Sequence, residues 1–368
     1  MLFKIYSYII GYTIKLLFYF STEKRNVYLK VLTIVAFMYK LDRINRKLLV
    51  VLGKNARLSK QQIAHIVGTS RDVVQYRMAK LEKDNVIRGY IAHIANHKFG
   101  IENYLVLIKL QHMSEGREQQ ILAKICAMDF VKVVFRCRGD CDVVLILGAK
   151  NKIHLGGGID WLTNICGRQV RDIDLGICVR VLKFEDYQFL LPEFAFPSKE
   201  RERPINEEID LIDRLIVKAL ATNARTAILD VAKVIGLSAE QTSTRLKRLL
   251  KLGVITGTQA LLNFEKLGLH RYIVLLKLTH YTHARGHSFR EFARQLSMIT
   301  HAERLLGIWD LRVTIVSTSH EDFLGTLDRL RAFFGKDLSR YSVSLVLQEL
   351  KRTSYPAKDA RTESISLI

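Results

Sequence analysis

The chain repeats itself at a constant spacing of 168 residues, which constrains it to fold as two like units. Gly68 recurs as Gly236, Arg77 as Arg245, Gly100 as Gly268, Tyr104 as Tyr272 and Asp142 as Asp310. The copies align from about Leu41 to Tyr187 without a gap. Solenoid repeats have periods of roughly 20–50 residues, so a period this long marks a duplicated two-domain protein. A chain of 368 residues has room for two to four domains, each burying its own core.

Each copy opens with a helix-turn-helix pattern. In copy one, Ile44, Leu48, Leu49 and Leu52 mark one helical face, and Ser59 is placed to cap a second helix ending at Val67. Gly68-Thr69-Ser70 supplies a turn and then a cap for a third helix, Arg71 to Lys83. Val86–Ile91 starts an expected two-stranded wing. Copy two repeats this through Gly236-Leu237-Ser238 and a third helix ending at Lys251. Beyond each wing the pattern alternates as strand, helix, hairpin, helix, strand, with Tyr104–Leu110, Glu118–Met128, Val131–Arg138, Asp142–Leu147, a helical region around Ile153–Ile165, and Val170–Leu182 in copy one. That β-α-β-β-α-β order is ferredoxin-like. Gly156-Gly157-Gly158 falls inside the second of these helices and predicts a distorted or opened stretch, since each glycine costs roughly 1 kcal/mol there.

The expected fold is therefore α+β, two copies of a winged helix-turn-helix followed by a ferredoxin-like (β-α-β-β-α-β) effector domain. The units divide as an apolar extension over 1–37, winged helix-turn-helix 38–100, effector domain 101–191, linker 192–205, winged helix-turn-helix 206–268, effector domain 269–355 and a tail over 356–368. The linker carries Pro192, Pro197 and Pro204 around a charged run, which stiffens it. In the extension, Lys15, Lys24, Arg25 and Lys30 interrupt the apolar runs, which makes a membrane span unlike the pattern seen. Met38 directly precedes the repeat and is the expected native start, with a membrane tether as the alternative.

The net charge of +21 points to a polyanionic partner, nucleic acid or an anionic membrane. All five cysteines lie in copy one, so the duplicated fold needs no disulfide framework, and their spacing suggests no zinc site. Cys137 and Cys141 flank a hairpin turn and could meet. Two small buried side chains in a reducing cytoplasm is the simpler account.

A helix fits the major groove when a preceding helix braces it through a short turn. Val74, Met78 and Leu81 turn one side of the third helix inward. This leaves Ser70, Arg71, Gln75, Tyr76, Arg77 and Lys80 as candidates for double-stranded DNA. The copy-two set is Ser238, Gln241, Thr242, Thr244, Arg245, Lys247 and Arg248. Arg77 and Arg245 are the retained pair and are expected to anchor phosphates. Such helices also serve as protein-interaction modules, and a cationic helix can simply be solvated.

Leu41-Asp42-Arg43-Ile44-Asn45-Arg46, Asn55-Ala56-Arg57, Ile63–Ser70, Arg77, Leu81 and Val86–Tyr90, continuing through His97-Lys98-Phe99-Gly100, resemble an Lrp/AsnC-family transcriptional regulator. The resemblance implies an effector and oligomerisation domain after each winged helix-turn-helix, and an amino acid or similar small ligand. The family's Gly-x-x-Asp hairpin pattern stands at Gly139 and Asp142, and again at Gly307 and Asp310. There an aspartate beside the turn could receive a ligand's ammonium. Plain turn chemistry explains the same residues. Fused copies imply an intrachain pseudo-dimer, open to further homo-oligomerisation, in the cytoplasm. No catalytic residue, cofactor or metal site is read. The competing expectation is a siroheme decarboxylase-like enzyme of the same architecture, which Asn96-His97-Lys98 faintly resembles. The aromatic stretch of those enzymes near the central hairpin is missing.

Overall fold

The computed structural model describes residues 39–194 and 208–354. The extension, most of the linker and the tail lie outside them. In copy one, α1 (Arg43–Lys54), α2 (Lys60–Val67) and α3 (Arg71–Lys83) start at the side-chain caps Asp42, Ser59 and Ser70. Gly68 ends α2 at φ 80°, the left-handed conformation that lets the chain turn tightly into α3. Then come β1 (Ile87–Ile94), β2 (Glu102–Leu110), α4 (Glu115–Ala127), β3 (Val131–Gly139), β4 (Val143–Ala149), α5 (Lys152–Cys166) and β5 (Val170–Lys183). Copy two supplies α6 (Leu211–Thr222), α7 (Ile228–Ile235), α8 (Ala239–Lys251), β6 (Ile255–Leu262), β7 (His270–Leu278), α9 (His283–Gln295), β8 (Ile299–Gly307), β9 (Leu311–Ser317), α10 (His320–Phe334) and β10 (Leu338–Arg352).

The expected wing differs in one respect: its second strand comes from the other copy. After β1 the chain makes only a short 3-10 turn, Asn96–Phe99, and passes straight into β2. No strand of copy one returns along β1, so its free edge pairs antiparallel with β6, with Ile91 opposite Gln259 at the centre. Those two residues are 168 apart, which puts the pseudo-two-fold axis between them. The same axis relates a reciprocal clasp. Arg57 donates to the carbonyls of Ala224 (2.6 Å) and Thr226 (3.1 Å), while Arg225 donates to those of Ala56 and Leu58. Contacts exchanged in this way are the mark of an isologous interface. One apolar core runs through both helical units, from Leu48, Leu52 and Ile63 to Ile216, Leu220 and Leu249.

The sheets β3-β4-β2-β5 and β8-β9-β7-β10 each have ferredoxin-like order, and they join edge to edge into a closed barrel. Strands β5 and β8 meet at Gly176 and Gly307, and β10 and β3 meet at Ser344 and Gly139. Closure leaves these sheets no unpaired edge. Alternation along each strand separates two cores. Tyr104, Val106, Ile108 and Leu145 pack outward under α4 and α5 with Ile121 and Ile125, and Leu105, Leu107 and Ile146 pack inward against Ile273, Leu275 and Leu305. A buried ion network ties ribbon to barrel: Arg88 (2.7 Å), Arg271 (2.7 Å) and Arg352 (2.8 Å) all meet Glu349, and Arg352 also meets Glu185 (2.7 Å). Burial alone would raise the Glu349 carboxyl. The arginines outweigh it and hold it far below the usual carboxylate range.

The triple glycine neither breaks nor opens its helix, since α5 runs unbroken through it. Gly158 faces the Phe130 ring, where a Cβ would stand 3.3 Å away, whereas Gly156 and Gly157 face open space. All five cysteines are free thiols. Cys141 Sγ lies 3.2 Å from Ser344 Oγ, across the seam between copies.

Candidate nucleic-acid interface

On α3 the buried line is Val74, Met78 and Leu81, and Arg71, Gln75, Tyr76 and Lys80 stand exposed on the other side. Tyr76 is 67% exposed, far more than a tyrosine placed for packing. The Ser70 hydroxyl is engaged as the helix cap and accepts from Val73 N at 3.2 Å. On α8, Thr244 and Lys247 are exposed. Ser238 and Gln241 close a capping box on each other, at 3.0 and 3.1 Å.

Thr242 is not on the exposed face. It is fully buried, and its hydroxyl donates to the Ser238 carbonyl at 2.9 Å. The repeat spacing carries the reason, because Thr242 stands where copy one has the core residue Val74.

Arg77 and Arg245 are also engaged within the protein. Arg77 Nη1 lies 2.6 Å from Asp42 and 3.0 Å from Asn45, pinning α3 to the start of α1. Arg245 reaches Asp210 at 2.6 Å and Asp213 at 3.0 Å, and Arg248 reaches the other oxygen of Asp213 at 2.8 Å. The hydrogen bond to Asp210 holds the Arg245 guanidinium above its ordinary pKa. Their retention across copies therefore reflects the bracing of the third helix by the first.

Beside the exposed side of α3, copy one has a cleft of 410 Å³ between that helix and the chain entering α1, lined by Lys40, Tyr76, Arg77 and Lys80.

The two Gly-x-x-Asp turns lie on the two seams of the barrel. Gly139 and Gly307 hold φ values of 134° and 131°. A Cβ on Gly307 would stand 2.8 Å from the Leu175 carbonyl, and one on Gly139 would collide with that of Val343. Asp142 and Asp310 each accept a backbone hydrogen bond at 2.9 Å, from Leu110 and Leu278. Lys109 (3.4 Å) and Lys277 (3.3 Å) already bring an ammonium to these carboxylates. The place read from the sequence as a receiver for a ligand's ammonium is thus filled by the chain's own lysines.

Arg57 and Arg225 are contact residues outside the set expected from the sequence. Their signal was the triplet Asn-Ala-Arg, identical at 55–57 and 223–225.

Residues 41–88 match a family model for winged helix-turn-helix DNA-binding, and residues 209–250 match one for the AsnC-type helix-turn-helix domain. The leucine-responsive regulatory protein of Haemophilus influenzae is 32% identical over 165 residues, covering 43% of this chain and 95% of that protein. The chain belongs to the Lrp/AsnC family of DNA-binding transcriptional regulators. A further relative, the proline dehydrogenase transcriptional activator of Rhizobium radiobacter, is 27% identical over 148 residues, 40% of this Lrp/AsnC chain and 94% of its own length. Each of these relatives corresponds in length to one copy. Among solved structures, the siroheme decarboxylase NirDL matches with a TM-score of 0.55 at 14% identity, over 88% of this chain and 96% of that one. At such identity the likeness is one of fold, and it spans both copies together. Among the described residues of this Lrp/AsnC regulator, no helix is long and apolar enough to cross a membrane.

Proposed function

We propose that one chain acts as a pseudo-dimer whose two helix-turn-helix units take neighbouring half-sites of double-stranded DNA. The observation that carries this reading is the reciprocal clasp of Arg57 and Arg225 around the shared ribbon, which fixes the two units against each other within one chain. Arg71, Gln75, Tyr76 and Lys80 face the first half-site, and Thr244 and Lys247 the second. These residues differ between copies, so the half-sites are unequal and not a perfect palindrome. Units 38–100 and 206–268 bind DNA, and units 101–191 and 269–355 regulate that binding.

The regulatory part of the reading places an amino acid-like effector at the Gly-x-x-Asp turns. Its ammonium displaces Lys109 from Asp142 or Lys277 from Asp310, an exchange of like charge at the seams. Barrel and ribbon share the Glu349 network, so a shift at a seam changes how the helical units are held.

The decarboxylase-like reading is favoured by the whole-chain fold likeness to NirDL. Against it, Gly-x-x-Asp stands in both central hairpins.

Selection of duplexes from a random pool by the purified full chain tests the regulator. The expected result is an enriched site with two unlike halves, whose binding weakens steeply with salt. A pool that yields no enriched sequence, from a protein that carries a porphyrin absorption band, overturns it in favour of the enzyme.

A further inference from the structure

The two helix-turn-helix units occupy equivalent places in the fold but do not present equivalent charge. Over the matched stretches 40–85 and 208–253, copy one has eleven basic and four acidic side chains, and copy two has eight and five. Most of the difference lies ahead of the third helices, where Leu211, Leu215, Thr222 and Ile228 stand at the positions of Arg43, Lys47, Lys54 and Lys60, while α3 and α8 carry four basic side chains each. Lys40 is replaced by Glu208, Arg71 by Ala239 and Tyr76 by Thr244. Lys80 is replaced by Arg248, but that guanidinium is turned inward to the buried carboxylate of Asp213 and to the Glu208 carbonyl at 3.2 Å. Asn45 stands in copy one where Asp213 stands in copy two, so copy one lacks the buried anion that would draw Lys80 inward.

Three of the positions that differ, Lys40, Tyr76 and Lys80, line the cleft of copy one. Lys40 and Lys80 line it from opposite elements, both exposed, and among the described residues neither forms an ion pair. Tyr76 closes one side. The cleft also contains Asp42, which is paired with Arg77 at 2.6 Å, and Asp84. Two uncommitted ammonium groups over a polar pocket suit an anion held by a flexible backbone, since an ammonium reads charge and not shape.

We propose that this cleft is the seat of a DNA backbone phosphate, gripped by Lys40 and Lys80, and that the first unit supplies most of the electrostatic affinity while the second supplies register. The inference rests on the DNA-binding reading above. The two halves then divide the work. Copy one holds the duplex, and copy two, with Thr244 and Lys247 outward, biases where along the duplex the chain settles.

The test is the salt dependence of affinity for the selected duplex, measured by fluorescence anisotropy with the full-length chain. Each phosphate contact contributes a slope of about −0.9 in log K against log salt. Lys40→Ala with Lys80→Ala removes that one phosphate contact and is expected to make the slope shallower by about 0.9, with the thermal midpoint unchanged because both side chains are exposed. Lys247→Ala is expected to change the slope by less than one contact, about 0.9, and Glu208→Lys to steepen it. If Lys247→Ala flattens the slope as much as the copy-one pair does, the division of labour is wrong while DNA binding stands. If the unaltered chain shows no salt-dependent binding, both readings fall.

Discussion

Asp213 has no exposed surface and two guanidinium partners, Arg245 and Arg248. Its counterpart Asn45 is neutral and has one, Arg77. Burying an anion is costly unless it is paired, so the same bracing contact carries different weight in the two copies. Replacing Arg77 with Ala removes a half-exposed ion pair with Asp42 and one amide hydrogen bond, a loss of about 1 kcal/mol. Replacing Arg245 and Arg248 together strands Asp213 and costs about 3–5 kcal/mol. Denaturant unfolding of the full chain is expected to show the second loss several-fold larger; equal losses would mean that Asp213 finds another partner. This scale was the least legible in the sequence. Side-chain length and charge made Arg77 and Arg245 look outward-facing, and nothing local to them indicated that Asp42 and Asp210, 35 residues earlier, lie within reach. Thr242 was legible in principle, because the repeat spacing puts it on Val74.

Helices and strands were more legible, because capping and periodicity are local. Ser59, Ser70 and Ser238 cap as their positions suggest, and Asp42 adds a cap outside those expected from the sequence. The β-α-β-β-α-β order holds in both copies. The glycines of α5 show where composition misleads: a run that lowers helix propensity is carried by packing of the flanking Leu162 and Cys166, both fully buried. Gly157→Ala is expected to stabilise the chain by up to about 1 kcal/mol, since it fills open space on a helix. Gly139→Ala is expected to destabilise it by more than that, because a Cβ there meets the Val343 carbonyl at a positive φ. Thermal unfolding of both variants separates these directions. A Gly139→Ala variant as stable as the parent would mean that the seam between β3 and β10 yields easily.

At the scale of the molecule, the repeat made two units visible but not how they close on each other. Edge-strand pairing joins residues far apart in the chain, such as Gly139 with Ser344 and Ile91 with Gln259, and no local pattern specifies it. The result is a single chain with an internal two-fold arrangement and two dissimilar outward faces. One chain should then occupy one operator, touching it in two places. Hydroxyl-radical footprinting of the selected duplex at one bound chain per duplex tests this most directly. The account predicts two protected patches one helical turn apart, about 34–36 Å, or a multiple of it, with the patch facing copy one the more strongly protected. A single patch per chain, with the second appearing only when a second chain binds, would contradict it.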